Sequence, residues 1–321
     1  ADSALERMSG GLDIRVHLPA WKMRSPRDLG AGWDFDDVRD HYVEEVFGVE
    51  PTKLRYSDHE RYLALGRMAT GEAMAAAFTE WRRPASSCRG AMVLFMRDLW
   101  AGAGWGLVDD AGVPKACYQS LKRVLQPVTV LFTDEGGNGL FAHLINETGR
   151  QLQVELEISA WKGGDVLVAK GKKPLELPAH SAQSLPCLDW FECFLDLTYA
   201  YRFGPKPCDA VVATLRDDSG HQIAQAFYFS GGLDSRQEPD VGLNAFGTMV
   251  DANTMELKVS SRRLAIGVYL DVPGFQPDNE YFHLAPGSDA QIRLRSVGGP
   301  REPVGTIHAI NAMASVRIVR S

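Results

Sequence analysis

Residues Arg89–Lys115 read RGAMVLFMRDLWAGAGWGLVDDAGVPK. Within them Ala91 to Met96 is an unbroken apolar run without alternation. That is the pattern of a strand buried on both faces, and such strands belong to parallel sheets covered by helices. The run then breaks into Arg97, Asp98 and Trp100. In (β/α) barrels the functional face lies at the carboxyl ends of the strands, so a carboxylate and a broad indole at that point are a candidate sugar-binding wall. If the extended backbone continues, Asp98 and Trp100 point to the same side. Trp105 follows in a glycine-rich loop.

Upstream of this run the periodicity is helical. Val38, Tyr42, Val43, Val46 and Phe47 share one face from Asp37, with Gly48 as the stop. Ser57-Asp-His-Glu60 reads as a capping box that opens a second helix through Tyr62, Leu63, Met68, Met74 and Phe78, closed by Pro84. Before these, residues 1 to 35 read as a long connection with a Gly10-Gly11 turn. After the apolar run, a helix is expected from Lys115 to Leu125. The order helix, helix, buried strand, helix leaves one strand with no neighbour for its backbone N–H and C=O groups. A complete (β/α)8 barrel takes about 250 residues, about twice what lies before Pro127. The expectation is therefore the C-terminal piece of a TIM barrel, its earlier strands supplied by a missing N-terminal part or by a second chain.

From Val128 onward strand signals recur every 8 to 12 residues, as in β-sandwiches. They fall at Val128 to Thr133, Leu140 to Asn146, Leu152 to Ala160, Val166 to Lys170, Ala210 to Arg216 and Ile223 to Phe229, with Cys187 to Leu197 as a short helix or edge strand. Beyond the linker SGGLDSRQEPDVG a second set covers Phe246 to Asp251, Thr254 to Ser260, Ala265 to Asp271, Gln291 to Arg295 and Ser315 to Val319. The domain reading is 1–127, 128–235 and 236–321, multidomain α/β plus all-β.

A composition of 45% hydrophobic and 23% charged residues is ordinary for a globular protein. No run of 18 apolar residues occurs, so no membrane span is expected. The net charge of -7, with both signs interspersed, argues against nucleic acid as a partner. The five cysteines show no C-x-x-C spacing, and the eight histidines form no H-x-x-x-H or H-x-H set, so no metal is expected. Cys187, Cys193 and Cys208 leave room for one disulfide, yet buried free thiols fit better. Ser230 to Ser235, SGGLDS, matches a pyrophosphate-binding loop, but Pro239 spoils the helix that mechanism needs, and a linker is the expected reading.

Gly90, Ala91, Asp98, Trp100, Trp105, Gly112, Pro114, Lys115 and Ala116 together resemble the last barrel strand and following helix of the β-mannosidases of glycoside hydrolase family 2. The family's Trp-Gln-Leu-Asn is replaced here by Leu94, Phe95, Met96 and Arg97. A second stretch, DNEYFHLAPGS at 278–288, resembles a turn in the last sandwich of the same enzymes. The resemblance implies a barrel piece followed by two immunoglobulin-like sandwiches, and removal of terminal β-linked mannose with retention and without a cofactor. A β-mannoside or manno-oligosaccharide would be the substrate, with Asp98, Trp100 and Trp105 bordering its subsite.

Retaining glycosidases need two carboxyl groups about 5 Å apart. In the resembled family these glutamates sit in Asn-Glu and Ser-Glu-Phe contexts, and neither context occurs before residue 98. No catalytic residue is assigned to this chain, which by itself is expected to be inactive. A sister activity, β-galactosidase or β-glucuronidase, stays open. So does a non-catalytic glycan-binding module using Trp161 or Trp190.

Overall fold

In a computed structural model, residues 7–8, 18–27, 30, 32–88, 90–233, 235–299 and 301–320 are described. The Gly10-Gly11 turn lies outside them. The chain packs into two compact units, Ala1–Ala75 with Ala91–Leu121, and Ala76–Gly90 with Lys122–Ser321.

The first unit is built from helices. Asp34 caps α1 (Phe35–Phe47) by accepting the amides of Asp36 and Asp37 while Asp37 reaches back, and Gly48 ends it at φ 63°. The start expected at Ser57 shifts by one residue. Pro51 launches a separate two-turn helix, α2 (Pro51–Ser57), in which Ser57 donates to the carbonyl of Leu54. Asp58, extended at φ −151°, instead accepts the Arg61 amide at 3.0 Å and opens α3 (His59–Arg82).

Trp21, Tyr62, Leu63 and Ala103 form the small core of this unit. A polar cluster lies against it. Asp36 is fully buried and accepts Trp21 Nε1 at 2.9 Å, while Arg39 pairs with it at 3.1 Å. The Tyr62 hydroxyl accepts from Arg39 and donates to Asp40 at 2.6 Å. Burial holds the Tyr62 phenol well above its usual range, so it remains a donor.

Ala91 to Met96 form no strand, contrary to expectation. Met92 is 93% exposed, Leu94 68% and Met96 65%, and Phe95 takes φ 68°, which interrupts any extended run. The reason is backbone pairing: no strand runs beside it among the described residues. Just past it, Arg97 makes an isolated bridge to Val108. The helix expected at 115–125 is α4 (Ala116–Val124). Within the first unit α3 and α4 cross closely, since a Cβ on Gly71 would lie 2.5 Å from Ser120 Oγ.

The second unit is β-rich. Its first half has β1 (Val128–Asp134), β2 (Leu140–Asn146), β3 (Leu152–Lys162), β4 (Val166–Leu177), β5 (Ser181–Pro186), β6 (Ala210–Asp217) and β7 (Gln222–Phe229). They form two antiparallel sheets, β1-β2-β5 and β4-β3-β6-β7. Alternate residues of both sheets, including Val130, Leu144, Leu156, Ile158 and Leu215, meet in one core. Cys187–Trp190 is a 3-10 turn rather than a helix or edge strand. All five cysteines are free, with Cys117, Cys187 and Cys208 buried.

The second half adds β8 (Asn244–Asp251), β9 (Thr254–Ser260), β10 (Ala265–Asp271), β11 (Phe275–Pro277), β12 (Phe282–Leu284), β13 (Asp289–Ser296), β14 (Thr306–His308), β15 (Val316–Arg317) and β16 (Val319–Arg320). These pair as β12-β10-β14-β15 and β11-β13-β9-β8-β16 around a second core that includes Met255, Leu257, Val268 and Ile292. Between the halves, Gly231 and Gly232 turn the chain at φ 79° and 93°, and no helix follows among the described residues. Asp234 of that motif lies outside them.

Two clasps lie within this unit, which includes the chain at 76–90 and from Lys122 onward. The Arg123 guanidinium donates to Asn279 Oδ1 at 2.7 Å and to the carbonyls of Glu280 and Tyr281, each at 2.9 Å, while Lys122 donates to the Asp278 carbonyl at 2.8 Å. At the end of α3, Arg83 pairs with Glu135 at 2.6 Å, and Thr133 donates to the same carboxylate at 2.6 Å. Thr133 also contacts Nε2 of buried His143 at 2.7 Å, and His143 Nδ1 lies 2.9 Å from Ser184 Oγ.

Truncating Leu156→Ala should cost about 2–5 kcal/mol, measured as a shift in the urea unfolding curve, because it opens a cavity in the first core. Burial pushes the His143 imidazole below its usual range, with Glu135 pulling it up and Arg83 lowering it further. A base lowered in the folded state gives its full stabilisation above the unfolded value of about 6.5, and loses it as pH falls from there through the lowered folded value. The unfolding midpoint should therefore drop between about pH 7 and pH 5, and His143→Gln should flatten that slope.

Candidate functional site

The strand expected to carry Asp98 and Trp100 is absent, yet both residues face the same cleft in the first unit, joined there by Trp105. What holds them is the loop from Asp98 to Lys115. The Asp98 amide donates to the carbonyl of Val108 at 2.9 Å, Val108 returns a bond to Met96 at 3.0 Å, and the Lys115 amide closes onto Leu107 at 2.9 Å. Three short bonds thus replace a sheet ladder in fixing where the chain turns.

The Asp98 side chain sits inside this loop. It is 6% exposed, accepts the Gly106 amide at 2.8 Å and pairs with Lys115, whose ammonium also donates to the Gly104 carbonyl at 3.1 Å. Asp98 is thus a carboxylate held by a backbone amide and a lysine, while the neighbouring Arg97 donates to the Asp110 carbonyl. Lys115, read from the sequence as the start of the last helix and as part of the family motif, is the partner that periodicity could not reveal.

Glycine is needed where the loop wraps the carboxylate. A Cβ on Gly104 would lie 2.3 Å from Asp98 Oδ1, and one on Gly106 would lie 2.5 Å from Oδ1 and 2.6 Å from the Asp98 amide nitrogen. A close approach of backbone to a buried charge explains these glycines without appeal to flexibility.

Trp100 is 54% exposed and presents its indole to the cleft, whereas Trp105 packs edge-on against Phe35, with ring centroids 4.7 Å apart at 79°. Trp105 is thus both a wall and an anchor. The cleft encloses about 650 Å3, and its opposite side comes from residues 23–27. That size suits a small sugar, and its chemistry, an aromatic face beside charged groups, suits a ring that is apolar on one face and hydroxylated at its edge. Among the described residues no group of three or more His, Cys, Asp or Glu side chains could hold a metal ion.

The sandwich tryptophans weighed as glycan platforms are otherwise engaged. Trp190 lies in the first core and donates Nε1 to the Leu156 carbonyl at 3.0 Å. Trp161 is half-buried and donates to Ser159 Oγ at 2.9 Å. Gly106→Ala should lower the stability of the first unit by about 1–3 kcal/mol through overpacking against Asp98, detected as an earlier thermal transition in tryptophan fluorescence.

No family model matches the chain. Among characterised proteins, β-mannosidase B of Aspergillus niger is 31% identical over 101 residues, which is 30% of this chain and 12% of that protein. β-Mannosidase B of Thermothelomyces thermophilus is 33% identical over 107 residues, 31% of this chain and 12% of that protein. Among solved structures, the β-D-mannosidase of Dictyoglomus thermophilum superposes with a TM-score of 0.64 at 17% identity, covering 89% of this chain and 32% of that one. The exo-chitosanase of Amycolatopsis orientalis gives a TM-score of 0.58 at 14% identity over 80% of this chain and 34% of that one. The chain thus spans about a third of these solved relatives and matches 12% of the curated ones. On its motifs, its fold and these matches, the chain resembles the C-terminal portion of the β-mannosidases of glycoside hydrolase family 2.

Proposed function

We propose that this chain is the C-terminal portion of a retaining, exo-acting β-mannosidase that removes terminal β-linked mannose. In this reading residues 1–127 complete a TIM barrel, and residues 128–235 and 236–321 are immunoglobulin-like sandwiches that brace it. The two catalytic glutamates belong to a preceding part of the same polypeptide, or to a second chain carrying it, and this chain alone is inactive. Asp98, Trp100 and Trp105 border the subsite of the terminal sugar.

The observation that carries the reading is the exposure of Met92, Leu94 and Met96 immediately before the cleft. An apolar run with no strand beside it gains both backbone partners and burial when a neighbouring strand is laid against it. A barrel strand in that position would bring its own carboxyl end, the place for a catalytic glutamate, to the edge of the cleft that holds Trp100. In such an enzyme one glutamate protonates the leaving oxygen and the other forms the glycosyl intermediate, about 5 Å away. The part of this chain is then to stack and orient the sugar. Asp98 fixes the loop through Gly106 and Lys115, and Trp100 offers the flat face.

A glycan-binding module would have to use Trp161 or other aromatics rather than Trp190, whose indole lies in the first core. The test is a p-nitrophenyl β-mannoside assay on the polypeptide extended upstream to include the missing strands. Hydrolysis is expected there and not with the 321-residue chain alone. In the extended protein Trp100→Ala should reduce kcat/KM by about tenfold or more, the size of a lost stacking contact. An unchanged kcat/KM would remove Trp100 from the subsite.

A further inference from the structure

The cleft beside Asp98 carries more positive charge than a neutral sugar requires. Arg24, Arg27 and Arg97 all line it and all are exposed, and they stand with Trp100 and Leu99 around the same space. The single carboxylate there, Asp98, is already neutralised by Lys115. Arg24 makes one long bond, 3.4 Å to the Ala101 carbonyl, and Arg97 is oriented by the Asp110 carbonyl. The Asp110 carboxylate is itself taken by Arg7 at 2.6 Å. Among the described residues no carboxylate forms an ion pair with Arg24 or Arg27. This cationic patch lies in a chain whose net charge is -7, so it is not a by-product of overall composition.

Guanidinium groups are donors with no acceptor capacity, and their planar fork matches a carboxylate. Neutral sugar hydroxyls are usually held by groups that can also accept, and the two such side chains here are engaged within the protein, Asp98 inside the loop and Ser25 with Trp21 and Asp36. We propose that the cleft takes an acidic saccharide, in which the carboxylate of a uronic acid neighbouring the sugar stacked on Trp100 is bound by Arg24, Arg27 and Arg97. This rests on the reading of the cleft as a sugar site.

The test is calorimetric titration of the 321-residue chain with two probes, neutral mannobiose and glucuronosyl-mannose, at low and at high ionic strength. The acidic disaccharide should bind about tenfold more tightly at low ionic strength, and the difference should shrink at high salt. Arg27→Gln and Arg97→Gln should each weaken the acidic probe several-fold more than they weaken mannobiose. Because the salt dependence is read on the unaltered protein, it serves even where a variant fails to fold. Equal affinity for both probes, with Trp100→Ala weakening both, overturns the charge proposal and leaves the sugar site standing. No binding of either probe, or binding untouched by Trp100→Ala, overturns the site and the proposal together.

Discussion

Backbone pairing governs where this chain is ordered into sheets and where it is not. Each of the long strands from β1 to β13 lies beside a partner that takes its N–H and C=O groups, and the side chains it turns inward then meet a second sheet. The run at 91–96 is as apolar as any of them and lacks only the partner. Without one its side chains Met92, Leu94 and Met96 stay exposed, and a left-handed residue at Phe95 ends the extension. Hydrophobicity alone does not make a strand.

The cleft depends on the same rule applied on a small scale. Since no ladder holds the chain after Met96, the loop that follows is fixed by a buried charge. Asp98 draws in the Gly106 amide and the Lys115 ammonium, and the two glycines let the backbone come close enough to close around it. A paired and hydrogen-bonded charge in a small loop serves position more than stability. Its effect here is to leave Trp100 facing outward.

The two stretches that carry the family resemblance are far apart in sequence, and the turn at 278–281 is held by Lys122 and Arg123 of its own unit. Arg123 reads three acceptors at 279–281, where Tyr281 takes φ 51° and so turns its carbonyl toward the guanidinium. A bidentate cation on a strained turn fixes orientation more sharply than an apolar contact of similar area would. The clasp at Arg83, Glu135 and Thr133 does the corresponding work at the end of α3.

By itself the sequence determined what is local. Period-3.6 and period-2 patterns placed α1 and most of the longer strands to within a few residues, since alternation such as that of β9 follows directly from which side chains face a core, but they stopped β4 at Lys170, seven residues short, and missed β5. Short elements escaped it: β11, β12 and β14 have three residues each, too few for a period to show, and are held by their neighbours. The choice between Ser57 and Asp58 as a helix cap escaped it too, because both side chains can accept an amide and only the geometry of α2 selects one. Asp98, Trp100 and Trp105 were legible as candidate residues; Lys115 as the partner of Asp98, and Arg24 and Arg27 as the far wall, were not. Those contacts join positions distant in sequence, and only tertiary packing brings such groups within bonding reach.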